Sequence, residues 1–138
     1  MIAYVDSSVL LRVVLGQRNA LREWPTIERG IASALVQVEC LRTLDRLRIQ
    51  QRMEEEAIAE RREAVYTVVE TMEVAALSDT VLARAAAPFP TVLGTLDALH
   101  LATALLWRDQ AQQDLVMATH DAALALAARA MGLHTVGM

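Results

Sequence analysis

Asp97 is the residue whose setting most demands a chemical explanation. In TLDALHLATALLW (95–107), helical spacing puts His100, Leu101 and Ala104 on the face of Asp97, while Leu96, Leu99, Ala102, Leu105 and Leu106 fill most other directions. A helix that is apolar on nearly all sides is expected to be largely buried. An unpaired carboxylate there needs a partner, a metal ion or a proton. The plainer alternative is a helix-start carboxylate favoured by the dipole near Thr95. Asp6 and Asp121 each follow a short apolar run, IAYVD and LVMATHD, and each precedes a helical pattern. Both therefore fit an N-cap as well as a functional site. Glu39 lies early in the helix after the second apolar run, with Arg42 and Thr43 on its face as ordinary surface partners.

Four carboxylates gathered at one place would repel one another and need positive charge between them. No Cys or His cluster with zinc spacing exists, since the only cysteine is Cys40. Oxygen-only ligands suit hard cations, Mg²⁺ or Mn²⁺, which keep positions for water and a phosphate. That arrangement hydrolyses phosphodiesters. Cys40 itself reads as a small buried apolar residue.

The elements that must position these acids alternate. Strands are expected at Ile2–Asp6, Ile31–Leu35, Glu73–Leu77, Leu115–Thr119 and His134–Val136. Helical patterns run from Val9 to Leu15, closed by Gly16, from Val36 to Arg48, across the charged stretch 50–72, from Ser78 to Ala86, from Thr95 to Trp107, and from Ala122 to Met131 before Gly132. Pro25 is compatible with a helix start, and Pro88-Phe89-Pro90 marks the main internal loop. Such alternation predicts an α/β fold, a three-layer α/β/α sandwich around a short parallel sheet, in one domain over residues 1–138. Ligands of such sheets bind beyond the carboxyl ends of the strands, where Asp6 and Asp121 stand.

Composition limits the partners. With 13 basic and 17 acidic residues the net charge is −4, which argues against a general nucleic-acid coating protein. Every basic residue is Arg; there is no Lys. Haloacid-dehalogenase-like phosphatases and response-regulator receivers need an essential Lys, and a P-loop needs Gly-Lys-Ser/Thr, so all three are excluded. No leader-like segment opens the chain, and no apolar run reaches the ~18 residues that span a bilayer, so a cytoplasmic protein without membrane association is expected.

VDSSVLLR, SALVQVECLRTL, TLDALHLATAL and ATHDAALALAARAMGL, in that order along nearly the whole chain, resemble the PIN-domain family. The match is closer to the VapC-type toxins of toxin–antitoxin pairs. The resemblance implies Mg²⁺- or Mn²⁺-dependent cleavage of RNA, with Asp6 and Asp97 as principal metal ligands and Glu39 and Asp121 completing the cluster. Ser7 or Ser8, and Thr119, match the small hydroxyl positions that orient these carboxylates. It also implies a homodimer and a cognate antitoxin that occludes the site. A PIN-like module that binds RNA or protein without cutting is the alternative, and loss of an acidic position would favour it. His120 departs from the family's usual small residue and is expected to be an exposed turn histidine; His100 and His134 are expected to be packing or surface residues. RNA contact must come from Arg, with Arg42, Arg46, Arg48 and Arg52 as one candidate stretch and pairing with nearby acids as the competing reading.

Overall fold

A computed structural model describes residues 1–138. Five strands, β1 (Ile2–Val5), β2 (Arg29–Ser33), β3 (Glu73–Ala75), β4 (Val116–Ala118) and β5 (His134–Val136), form one sheet in the order β3-β2-β1-β4-β5. Every neighbouring pair is parallel. Six α-helices connect or flank them: α1 (Ser7–Val14), α2 (Leu35–Gln51), α3 (Glu55–Glu70), α4 (Asp79–Ala86), α5 (Thr95–Ala111) and α6 (Ala122–Ala130). A single 3₁₀ turn, Trp24–Thr26, carries Pro25 near its start.

The layers follow from the two-residue alternation of the strands. Ala3, Val5, Ala32 and Ala118 face α1, α2 and α3, where they meet Val9, Leu10, Val36, Leu44 and Val65. Tyr4, Ile31 and Met117 point the other way, against Leu101, Leu105, Leu124 and Ala128 of α5 and α6. Strands covered on both faces read as continuous apolar runs, which is why IAYV and VMA lack polar alternation. The expected α/β/α sandwich is therefore the observed one. Its helix and strand ends shift by a few residues: β2 begins at Arg29 rather than Ile31, because Ile2 and Ala3 of β1 pair with Arg29 and Gly30.

The chain runs outward from β1 through β2 to β3, then returns to lay β4 on the other flank of β1. The sheet's direction of winding reverses between β1 and β4. That reversal opens a crevice at the strands' carboxyl ends, with Asp6 at the end of β1 and Asp121 just beyond β4. Arg52, in the left-handed conformation (φ 48°), caps α2 and separates it from α3, the helix that carries most of the charged stretch.

Candidate active site

Asp6, Glu39, Asp97 and Asp121 line one open cleft of about 410 Å³, together with Ser7, Ser8, Thr95 and His100. Each acid arrives on a different element. Asp6 and Asp121 are the N-caps of α1 and α6, accepting from Val9 N–H at 3.2 Å and Leu124 N–H at 2.9 Å. Capping and cleft-lining are thus not rival readings of these residues: one oxygen caps, and the carboxylate still reaches the cleft. Glu39 stands on the second turn of α2, and Asp97 on the first turn of α5.

Asp6 is the most firmly held. It is 4% exposed, and Ser8 Oγ donates to its Oδ1 and Thr119 Oγ1 to its Oδ2, both at 2.6 Å. Thr119 also accepts from the Asp121 backbone N–H at 2.9 Å, linking two of the acids through one hydroxyl. Ser7 lines the cleft but makes no hydrogen bond to a carboxylate, so Ser8 is the serine that orients Asp6.

Asp97 is the opposite case. No protein group donates to it, and burial together with Asp121, Asp6 and Glu39 raises its pKa, against a smaller lowering effect of His100. Its half-buried position is less enclosed than the apolar helix pattern implies, because Thr95 and Leu96 of the first turn are exposed. As the side chains stand, no three His, Cys, Asp or Glu groups converge tightly enough to hold a metal ion among themselves. The thiol of Cys40, buried in the α2 core, is pushed up to about 12 by burial and by Glu39 and Asp6, which leaves it inert at neutral pH.

His100, expected to be a packing or surface residue, is packed and also lines the cleft. It is 2% exposed. Its Nε2 lies 2.5 Å from Glu39 Oε1 and its Nδ1 2.7 Å from the Tyr4 hydroxyl. An ionised carboxylate only accepts, so Nε2 carries a hydrogen, and in the neutral ring Nδ1 accepts from Tyr4. Burial keeps the Tyr4 phenol well above its ordinary pKa and so protonated. The chain Tyr4–His100–Glu39 fixes the Glu39 side chain from the core outward, whereas Arg42, its surface alternative, pairs with Asp45 at 3.3 Å.

His120 is likewise not an exposed turn residue. It is half-buried, its backbone N–H donates to Ser8 Oγ at 2.9 Å, and its Nδ1 lies 2.6 Å from the Gly137 carbonyl oxygen. Gly137 adopts φ +103°, and a Cβ there would stand 2.5 Å from the Thr119 carbonyl oxygen. Gly137→Ala is therefore expected to destabilise the protein by about 2 kcal/mol through backbone strain. Because Thr119 would have to move, activity should fall as well; thermal unfolding and turnover of this variant check both effects.

The family described as "PIN domain" matches residues 3–130. Among solved structures, the chain is similar to one from a "Toxin-antitoxin complex from Klebsiella pneumoniae" at 17% identity, covering 97% of this chain and 95% of that one with a TM-score of 0.69. It is similar to one from VapBC-1 of nontypeable Haemophilus influenzae at 13% identity, covering 98% and 96%, TM-score 0.62. PAE2754 from Pyrobaculum aerophilum matches at 19% identity over 99% of this chain and 90% of that one, TM-score 0.62. No curated protein matches.

Proposed function

The chain belongs to the PIN domain family, and on that premise we propose that it is a Mg²⁺- or Mn²⁺-dependent endoribonuclease, the toxin of a type II toxin–antitoxin pair. The observation that carries this reading is the gathering of four carboxylates from four separate elements into one cleft lined by no Arg. The donor set fits a hard divalent cation: all four ligand candidates are carboxylates that offer oxygen, and Asp97, its pKa raised by burial and then by the neighbouring Asp121, receives no protein hydrogen bond. Magnesium sites typically use one or two carboxylates and fill the remaining positions with water and substrate phosphate. Asp6 and Asp97 would be the principal ligands, with Glu39 and Asp121 contributing directly or through water.

When bound, the cation supplies Lewis-acid polarisation of the phosphodiester and lowers the pKa of a water poised to attack it. The protein's share is positioning. The Ser8 and Thr119 hydroxyls fix both oxygens of Asp6, and His100 fixes one oxygen of Glu39. Asp97, free of protein donors, keeps its full basicity for the ligand.

One of the similar structures is a toxin–antitoxin complex, which supports a cognate antitoxin as partner; a cytoplasmic homodimer as the inhibited form belongs to the same proposal. No helix is long and apolar enough to cross a membrane. The deciding experiment is incubation of the purified protein with structured RNA in Mn²⁺ and in excess chelator. Cleavage is expected in the first and none in the second. A protein that cuts no RNA in Mn²⁺, yet binds RNA or an adjacent-gene product, would be the non-cutting module instead.

A further inference from the structure

A second cleft, of about 510 Å³, adjoins the acidic one and has the opposite charge. Arg12, Arg18 and Arg22 line it, with Glu23 as its one acidic side chain and His120 and Gly137 on its wall. Arg12 spends one N–H on the Asn19 carbonyl at 3.2 Å, while Arg18 and Arg22 are exposed and have no protein partner. None of the three forms an ion pair, and what sets them apart from the other unpaired arginines is that all three line one cleft. In a chain of net charge −4 this is a local reversal of sign.

The two clefts are built on the same pieces. Helix α1 presents Ser7 and Ser8 to the acids and Arg12 to the basic pocket, four residues or about 6 Å of helix rise beyond Ser8. The turn after β4 does the same: His120 walls the basic pocket while Asp121 lines the acidic cleft, and the His120 N–H holds the Ser8 hydroxyl that holds Asp6. The Nε2 of His120 is buried without a partner, the one polar group on that wall which the fold leaves unsatisfied.

A polyanionic substrate gains nothing from four carboxylates and an acidic chain, so its affinity must come from positive charge elsewhere. In the candidate stretch on α2, Arg42 and Arg48 share Asp45, and Arg46 and Arg52, although free of ion pairs, line neither cleft. We propose that the Arg12–Arg18–Arg22 pocket binds the phosphodiester backbone of the RNA beside the bond that is cut. The guanidinium groups suit phosphate oxygens, which they can engage bidentately. This assignment rests on the reading of the acidic cleft as the cutting site.

The test uses the full chain carrying Asp97→Asn, so that RNA is held uncut, and follows the binding of a fluorescent single-stranded RNA by anisotropy across a salt series in Mg²⁺. Adding Arg18→Gln and Arg22→Gln should flatten the slope of log K against log [salt] by about 1.4, at roughly 0.7 for each phosphate no longer neutralised. Arg46→Gln with Arg52→Gln should leave the slope unchanged. In the cleaving protein the Arg18→Gln/Arg22→Gln pair should raise KM more than it lowers kcat. If the otherwise native chain cuts RNA but the slope does not respond to Arg18 and Arg22, the pocket assignment is overturned while the nuclease reading stands. An unchanged RNA slope with weakened hold on a polyglutamate peptide overturns it too, and reassigns the pocket to an acidic protein segment. Absence of RNA cleavage by the unmutated protein overturns the nuclease reading itself.

Discussion

Asp97→Asn is expected to lower RNA cleavage by more than about a hundredfold while leaving the metal-free protein more stable than before. The activity loss should exceed the roughly 10–100-fold that follows removal of a residue merely supporting a metal ligand. The stability gain comes from the direction of the pKa shift. Burial and the neighbouring Asp121, Asp6 and Glu39 raise the carboxyl of Asp97 above its ordinary value. A carboxyl so raised supports the fold only while protonated, below its unfolded pKa, and that support is lost as pH rises through the folded pKa. At neutral pH the native protein therefore carries an electrostatic penalty that Asn lacks. The two proteins should melt together in acid and separate as pH rises through the raised value, with the variant higher in chelator. A divalent cation inverts the order: at a hundred times its Kd it adds about 2.7 kcal/mol to a protein that binds it, and the variant should gain much less. Asp97 suits this test better than Asp6, whose two oxygens accept three protein hydrogen bonds that an amide could not all accept. Cleavage retained within tenfold, or a variant that melts lower in chelator, would contradict the assigned role.

Asp6, Asp97 and Asp121 were readable in the sequence because each breaks a local pattern, whereas Glu39 breaks none and came only with the family resemblance. An acid in an otherwise apolar helix, and acids directly after apolar runs, stand out against their neighbours. Strand identity was readable for the same reason, although β2 took in Arg29 and Gly30 through pairing with Ile2 and Ala3, which no local pattern contains. Of the groups that orient the acids, the Ser8 and Thr119 hydroxyls came with the family resemblance, but the histidines were not readable. His100 lies one helical turn from Asp97 and resembles any packed histidine; its partners, Tyr4 and Glu39, are 96 and 61 residues away. His120 looks like a turn residue until the chain end brings Gly137 against it, 17 residues later. Arg12, Arg18 and Arg22 sit at the edge of a polar, patternless stretch, while the arginines of α2 are denser in sequence but neutralised in part by Asp45. A residue's own chemistry shows in local sequence, but the partner that sets its orientation is supplied by topology.

That dependence gives the last prediction, on His100→Ala. The change strands the Tyr4 hydroxyl at a site with no solvent exposure and opens a cavity beneath α5. An orphaned buried polar group costs about 1–3 kcal/mol, and the cavity adds to it, so a loss on the order of 3 kcal/mol is expected in chemical unfolding. Glu39 is also freed from the hydrogen bond that fixes it, and cleavage should fall about 10–100-fold. Tyr4→Phe separates the two consequences. It leaves His100 Nδ1 without its donor, at a similar cost of about 1–3 kcal/mol, but preserves the His100–Glu39 hydrogen bond. If His100 acts by positioning Glu39, His100→Ala raises the Mn²⁺ concentration needed for half-maximal cleavage and Tyr4→Phe does not, although both melt earlier. If the histidine only fills the core, the two variants, assayed well below their melting temperatures, show the same metal dependence as the native protein. The chain from Tyr4 on the central strand to Glu39 in the cleft would then be packing that happens to touch the site.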